Sequence, residues 1–173
     1  TYAFFKVGEK GVGGSDAFKP LNSLWFATFA LAPGFFLPLE QELGRAIGHR
    51  RDEFVLATKV GEAFEAGVSH FDFSAAAVTI SIEQSLRRLQ TDRLDLVCVH
   101  SDGRDLAIQQ QTDVIEALQQ CRRRGLVRAI GFSAKTVDGA RAAIEWADML
   151  MVTYNREDTS HAGVITQAAA SGR

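Results

Sequence analysis

Polar side chains that can do chemistry stand at the ends of four short apolar runs in this sequence. Lys59 lies near the end of the first run, His100 ends the second and Ser133 ends the third. The fourth run ends at Tyr154, which Asn155 follows directly. Lysine and histidine can move protons or stabilise charge, and hydroxyl and amide groups can bind a polar ligand. One such residue alone is more often structural, but their recurrence at consecutive run ends indicates a functional site.

The apolar runs themselves predict buried β-strands. They are short and rich in Val, Leu and Ile, as strands covered on both faces are. Their bounds are residues 54–60, 94–100, 127–133 and 149–154. Because amphipathic stretches separate them, the sequence predicts an α/β fold in which helices connect parallel strands. The carboxyl ends of such strands meet at one rim, where the polar side chains would converge.

Apolar residues at helical spacing mark the connecting helices, of which the last is short. The stripes are Leu39, Leu43 and Ile47; Val78, Ile82, Leu86 and Leu89; Val114, Leu118 and Cys121; Val137, Ala140 and Ile144; Val164, Ile165 and Ala168. Ser74 and Thr136 are predicted N-caps, and Gly125 after three arginines is a predicted helix stop. Periodicity does not separate a closed barrel from an open sheet. No G-x-G-x-x-G follows the first strand, which disfavours an open dinucleotide-binding sheet.

Composition and charge exclude several classes of protein. The chain has 173 residues and a formal net charge of −2, so no basic excess predicts nucleic-acid binding. The apolar run 24–39 is interrupted by two prolines and is shorter than the roughly 20 residues of a membrane span. Cys98 and Cys121 show neither disulfide nor metal-ligand spacing and are predicted to be buried thiols. We therefore expect a cytoplasmic protein without a metal site or a membrane segment.

Several stretches resemble the aldo-keto reductase family in order and spacing. The most recognisable is S-x-E-x-S-L-x-R-L-x-T-D-x-x-D-L-x-x-x-H, from Ser81 to His100. Before it stands RRDEFVLATKVG, and after it stand GLVRAIGFS, which ends at Ser133, and MVTYN. The resemblance is strong from about residue 40 to residue 154. It implies a (β/α)₈ barrel that uses a nicotinamide to reduce a carbonyl.

The resemblance also implies roles for individual residues. In the family, hydride adds to the carbonyl while a tyrosine, adjusted by a lysine and an aspartate, donates a proton and a histidine orients the carbonyl. Lys59 matches the lysine and His100 the histidine. Ser133 matches the residue that binds the nicotinamide carboxamide, and Tyr154 and Asn155 belong to the predicted cofactor-binding set. The implied cofactor is NADPH, with NADH as the alternative, and the implied substrate is a small carbonyl compound.

The match departs from the family pattern at the proton donor. Where the family usually has D-T-A-P-x-Y-G, this chain has A-L-A-P-G-F-F, beginning at Ala30. Ala30 stands at the aspartate position and Phe35 at the tyrosine position, so neither side chain can ionise. Met151 stands where a glutamine commonly contacts the carboxamide, and Ala134 replaces an asparagine. The catalytic set predicted by position is therefore Lys59 and His100 together with Phe35 and Ala30, and Met151 joins the cofactor-binding set.

The length predicts one domain, residues 1–173, with about six of the eight βα units of a barrel. A closed barrel typically needs about 250 residues, so the C-terminal units are expected to lie outside this sequence. Two functions stay open: an NADP(H)-dependent oxidoreductase, and a non-catalytic barrel that binds cofactor as a sensor or interaction module. A phosphate-binding lyase or isomerase is a more distant third hypothesis. The sequence defines neither the substrate nor the oligomeric state.

Overall fold

Strands and helices alternate along the part of the chain that the structure describes. This computed structural model describes residues 2–6, 25–27, 36–65 and 67–171. The strands are β1 (Tyr2–Lys6), β2 (Trp25–Ala27), β3 (Val55–Val60), β4 (Glu62–Glu65), β5 (Val68–Phe71), β6 (Leu94–His100), β7 (Val127–Ser133) and β8 (Met149–Thr153). The α-helices are α1 (Phe36–Ile47), α2 (Ala75–Leu89), α3 (Asp105–Gln111), α4 (Val114–Arg123), α5 (Val137–Ala143) and α6 (Ala162–Ala170), and a 3₁₀ helix spans Gly48–Glu53.

Six of these strands form one sheet, in the order β1-β8-β7-β6-β3-β2. The pairs β2–β3, β3–β6, β6–β7 and β7–β8 are parallel, which confirms the predicted α/β architecture for the strands that helices connect. β1, for which the sequence analysis predicted neither a strand nor a direction, pairs antiparallel with β8. No single crossover helix joins β1 to β8. Connectivity therefore does not fix its direction.

The two faces of the sheet have different coverings. Side chains alternate between the faces along a strand. On β6, Val97 and Val99 pack in the large apolar cluster that also contains Val78 of α2 and Leu118 of α4. Cys98 lies on the other face, in a smaller cluster with Ala57, Leu96, Ala129 and Met149. Helices on one face and a thin apolar layer on the other are what the wall of a (β/α)₈ barrel requires.

The predicted helix ends are confirmed by their hydrogen bonds and dihedral angles. The hydroxyl of Ser74 accepts a bond from the backbone N–H of Ala77 at 3.3 Å. The hydroxyl of Thr136 accepts one from the N–H of Gly139 at 3.1 Å. Gly125, just after α4, has a φ of +77°, a conformation that glycine adopts without strain. These ends set where each helix returns the chain to the sheet.

A buried aspartate stabilises the amino ends of three neighbouring strands. Asp95 of β6 accepts bonds from the Arg51 guanidinium at 2.7 Å, the Leu56 N–H at 2.8 Å and the Arg128 guanidinium at 3.0 Å. The 3₁₀ helix, β3 and β7 are thereby tied to β6. This contact gives the last aspartate of the T-D-x-x-D-L string a structural role, away from the rim that carries His100.

A hairpin that the sequence analysis did not predict follows β3 at the opposite rim. Strands β4 and β5 pair antiparallel, with Glu62 opposite Phe71. Gly61 precedes the hairpin with a φ of +99°, and a Cβ on it would lie 2.5 Å from a ring carbon of Phe73. Glycine is therefore required where the chain leaves β3 and turns over the carboxyl ends of the strands.

Both cysteines are free and buried, as predicted. Of the apolar run 24–39, the structure describes the strand β2 and the start of α1, which begins at Phe36. No helix within the described residues combines the length and the apolar character needed to cross a bilayer.

Candidate active site

The carboxyl ends of β3, β6 and β7 bring predicted site residues to one face of the sheet. His100 pairs with Ser133, and Ser133 pairs with Met151, on adjacent strands. Lys59 pairs with Cys98, two residues before His100. Because every second residue of a strand shares a face, Lys59, His100, Ser133 and Met151 lie on the same side of the sheet, near one rim.

A cavity opens between the end of β3, the hairpin and α2, and His100 at the end of β6 also lines it. Its volume is about 370 Å³, within the range of small-molecule sites. Lys59 and His100 both line it, together with Glu62, His70 and Asp72 from the hairpin region. The structure thus brings the predicted lysine and histidine together and adds titratable groups that the sequence analysis did not select.

The surroundings of Lys59 lower the pKa of its ammonium group. Burial lowers the pKa of Lys59 below its usual value, while Cys98 and Glu62 act in the opposite direction and Lys135 adds to the lowering. An ammonium so placed gives up a proton more readily than a lysine on the surface. It also supplies positive charge beside His100.

His100 is in contact with a carboxylate. Its Nδ1 lies 2.6 Å from Oε2 of Glu62, whose side chain is 8% exposed, whereas that of His100 is 22% exposed. Burial and the charge of Lys59 lower the pKa of His100, and Glu62 partly opposes this shift. Because an ordinary histidine pKa is already about 6.5, His100 is mainly neutral at pH 7.

Aromatic rings form an apolar wall beside this pair. The edge of Phe71, in β5, meets the His100 ring with 6.3 Å between ring centroids. Phe71 also stacks on Phe73 at 6.1 Å, and the Lys135 ammonium lies 6.0 Å from the Phe71 centroid. The hairpin therefore places a carboxylate, from Glu62, and an aromatic ring, from Phe71, against His100.

The predicted cofactor-binding residues lie on the adjoining strands. Ser133 Oγ is 3.4 Å from the sulfur of Met151, a weak acceptor, so its hydroxyl can bind a stronger partner such as an amide. Tyr154, one residue beyond β8, is 39% exposed. The Asn155 side-chain oxygen accepts bonds at 2.9 and 3.0 Å from backbone N–H groups of its own loop. That oxygen therefore fixes the loop, and its NH₂ group is the part that can reach a ligand.

The predicted positions Ala30 and Phe35 lie outside the described residues. The description resumes at Phe36, where α1 begins. Their assignment to the aspartate and tyrosine positions therefore stays a prediction from sequence.

A buried carboxylate ties together the loops that carry the site. Asp105, 1% exposed, accepts bonds from the Lys135 N–H at 2.9 Å and from the N–H and hydroxyl of Thr136 at 2.7 and 2.8 Å. The hydroxyl of Ser101 donates to its other oxygen. A Cβ on Gly139 would lie 2.0 Å from Cβ of Asp105, so the close approach of α5 requires glycine. The loop after His100 is thereby fixed to the loop after Ser133.

Sequence analysis missed Glu62, Phe71 and Asp105. The hairpin could have been predicted from the sequence. Ala66–Gly67 separates two stretches of four residues, and a two-residue connection that contains glycine is typical of a β-hairpin. Asp105 gave no comparable signal, because its partners Lys135 and Thr136 lie some thirty residues further along the chain, beyond α4 and β7.

Comparison with known proteins identifies the family. A family model described as the aldo/keto reductase family matches residues 35–160. The chain belongs to the aldo-keto reductase family. Its α/β sheet is therefore part of a (β/α)₈ barrel, as the sequence predicted.

Relatives and solved structures agree with this assignment. The chain is 29% identical over 181 residues to a D-threo-aldose 1-dehydrogenase from a Pseudomonas species, covering 87% of this chain and 54% of the relative. A solved structure from Pseudomonas aeruginosa named for the same family is 41% identical, with a TM-score of 0.77, covering 88% of this chain and 57% of that one. An aldo-keto reductase from Klebsiella pneumoniae in complex with NADPH is 29% identical, with a TM-score of 0.52, over 72% of this chain and 38% of that one. The chain thus spans about half the length of the first two and less of the third.

Proposed function

We propose that this aldo-keto reductase chain belongs to an enzyme that interconverts a small carbonyl compound and its alcohol with a nicotinamide cofactor. The observation that carries the proposal is the meeting of Lys59, Glu62 and His100 around one cavity at the carboxyl rim of the sheet. Such a rim is where barrel enzymes place their chemistry. We further propose a cytoplasmic location, where the two free thiols would stay reduced.

The residues of the sheet fit a nicotinamide. The Ser133 hydroxyl has only a weak thioether partner among the described residues, so it is available to bind a carboxamide. His100 is its neighbour on the next strand, which would put a bound nicotinamide ring beside the imidazole. Met151 offers no amide, so the carboxamide would be held by fewer hydrogen bonds than in the usual family pattern. A bound nicotinamide would supply or accept the hydride.

The chain's own residues would orient the substrate oxygen and handle its charge. His100 can form a hydrogen bond to that oxygen, and the Lys59 ammonium stabilises negative charge that develops on it. The Phe71 ring, which meets the His100 ring edge-on, would shield one side of the imidazole from water.

The preferred substrate class is a small hydroxylated carbonyl compound such as an aldose. The relative from Pseudomonas is named for the dehydrogenation of an aldose. The cavity supports this choice, because it combines polar groups such as Glu62, Asp72 and Lys59 with the phenyl side chain of Phe64. A sugar can use both kinds of surface. NADPH is the proposed cofactor, with NADH as the alternative.

The proposal is tested on the protein at its natural full length. We expect NADPH or NADH to quench the emission of Trp146, and absorbance at 340 nm to report turnover with aldoses or small aldehydes. His100→Ala should lower kcat by about 10²- to 10⁴-fold, because it removes an interaction with the developing charge. His49→Ala serves as the control, since His49 is exposed in the 3₁₀ helix before β3.

The outcomes separate the two functions considered. Turnover that His100→Ala removes and His49→Ala leaves intact supports the oxidoreductase. Cofactor binding without turnover on a broad panel of aldehydes, ketones and sugars would favour the non-catalytic sensor. Failure of a folded full-length sample to bind either nicotinamide would contradict both.

A further inference from the structure

The carboxylate of Glu62 connects His100 to the hairpin through both of its oxygens. Nδ1 of His100 lies 2.6 Å from one carboxylate oxygen of Glu62. The other oxygen of Glu62 accepts a hydrogen bond from the Ser69 hydroxyl at 2.6 Å, across the hairpin. Both oxygens of the carboxylate are therefore engaged, and the carboxylate is oriented by β5 as well as by its own strand.

A carboxylate at Nδ1 selects one tautomer of a neutral imidazole. The ring donates its Nδ1–H to the acceptor, which leaves the lone pair on Nε2. Nε2 is then the ring nitrogen left to bind a ligand in the cavity that His100 lines. A lone pair there accepts a proton from a hydroxyl, and the resulting imidazolium is stabilised by Glu62. The same division of roles operates in carboxylate–histidine pairs of other enzyme classes.

The proposed reaction needs a side chain that can accept and donate a proton near neutral pH. Phe35, at the expected tyrosine position, has no ionisable proton. Two histidines, His70 and His100, stand among the described residues that line the cavity, and imidazole is the side chain suited to proton exchange near neutral pH. Only His100 stands at a strand end beside Lys59 and has a carboxylate at its Nδ1 within the described part of the chain.

Resting on the proposed function, we propose that His100 carries the proton of the reaction through Nε2, and that Glu62 is the positioning residue that sets its tautomer. In alcohol oxidation, the substrate O–H bond breaks and its proton goes to Nε2. The adjacent C–H bond gives its hydrogen and electron pair to an oxidised nicotinamide as the C=O bond forms. In carbonyl reduction a reduced nicotinamide would supply hydride to the carbonyl carbon, and the imidazolium returns the proton from Nε2–H to the oxygen.

The charges around His100 set the pH dependence. Burial, Lys59 and Lys135 lower the pKa of His100, and Glu62 raises it. Four other titratable groups line the same cavity: Glu40, His70, Asp72 and Arg88. Because His100 is mainly neutral at pH 7, the base needed for oxidation is present there. Oxidation is lost as the pH falls through the His100 pKa, and reduction is lost as the pH rises through it.

Glu62→Gln tests the positioning role proposed for Glu62, because glutamine has nearly the same shape as glutamate but carries no charge. The amide can still accept the Ser69 bond, but it has no charge to stabilise the imidazolium. We expect the His100 pKa to fall further, and kcat for alcohol oxidation to fall about 10²-fold or more. Glu62→Asp retains the charge and should restore the pKa toward the wild-type value. Glu116→Gln, an exposed glutamate on α4, is the matched control.

Nitrogen-15 NMR of the histidine rings gives a readout that does not depend on turnover. The full-length protein is titrated without cofactor, and His100→Gln identifies the His100 signals. We expect the Nδ1–H tautomer in the wild type, a lower pKa in Glu62→Gln, and no change in Glu116→Gln. The kinetic pKa of alcohol oxidation should move with the NMR value.

The outcomes separate this inference from the proposed function. Turnover accompanied by an Nε2–H tautomer in the wild type, or by an unchanged His100 pKa in Glu62→Gln, would overturn the role of Glu62 while leaving the oxidoreductase standing. Absence of turnover with every carbonyl and alcohol tested would overturn the proposed function and the proton role with it, whatever tautomer the ring adopts.

Discussion

At the scale of single residues, the site is controlled by a balance of charges in a partly buried space. Burial and the ammonium groups of Lys59 and Lys135 lower the pKa of His100, whereas the carboxylate of Glu62 raises it. Since opposite charges favour the charged form of a group and like charges disfavour it, each of these neighbours has a predictable sign. The influence of Lys59 on His100 exceeds that of Lys135.

Lys59→Met should raise the pKa of His100, because it removes the stronger of the two positive charges. Lys135→Met should raise that pKa by less. The measurement is a pH titration of the His100 ring by NMR in the full-length protein. Arg87→Met is the control, because Arg87 is exposed in the last turn of α2 and should leave the titration unchanged. A fall of the His100 pKa in Lys59→Met would show that the lysine acts through something other than its charge.

Part of the site could be predicted from sequence at this scale. Lys59, His100 and Ser133 could be predicted as site residues, because each lies at or near the end of an apolar run and the ends of parallel strands meet at one rim. The role of Glu62 could not be predicted in the same way. Its role depends on a hairpin that folds back over that rim, and a glutamate in a short polar stretch is ordinarily a solvated surface residue.

At the scale of elements, the loops after β6 and β7 are connected through Asp105. Its carboxylate accepts three bonds from Lys135 and Thr136 and one from Ser101. The loops begin directly after His100 and Ser133, so their relative position affects both residues. An unpaired buried donor costs about 1–3 kcal/mol, which makes this carboxylate a large contributor to the order of the rim.

Asp105→Ala should lower the free energy of unfolding by about 3 kcal/mol or more, because it leaves several donors without a partner. Asp105→Asn should cost less, about 1 kcal/mol, since its amide oxygen can still accept the bonds from the loop after β7. Urea unfolding followed by Trp146 emission measures both. Asp113→Ala is the control: Asp113 is exposed, makes no side-chain cap bond, and should change stability by less than about 0.5 kcal/mol.

The sequence predicted the elements with a regular apolar pattern better than the others. The strands β3, β6, β7 and β8 were found within one residue at each end, because a strand buried on both faces must be apolar throughout. The helix α3 was missed, although α5 has the same length, because the large apolar residues of α3, Leu106 and Ile108, are not at helical spacing. The direction of β1 could not be predicted, because no crossover helix links it to β8, the strand beside which it lies.

At the scale of the whole molecule, two cysteines report on the two faces of the sheet. Cys98 belongs to the small cluster with Ala57 and Met149, and Cys121 of α4 belongs to the large cluster beneath the helices. Their exposed fractions are 0% and 1%. Burial raises the pKa of Cys98 to about 12 and also raises the pKa of Cys121. Because the thiolate is the reactive form, both thiols should be inert in the folded protein.

If the chain folds as one domain, the two thiols should become reactive in the same transition. We expect neither to be alkylated by N-ethylmaleimide at pH 8 in native buffer, and both to be alkylated at the urea concentration where Trp146 emission changes. Peptide mapping by mass spectrometry assigns the modification to each cysteine. Cys98→Ala and Cys121→Ala, examined separately, establish that one alkylation does not expose the other site. Alkylation of Cys98 at a distinctly lower urea concentration than Cys121 would show that the thin apolar layer opens while the helical layer stays packed. The sheet and its helices would then be two cooperative units, and the prediction of a single domain would be wrong.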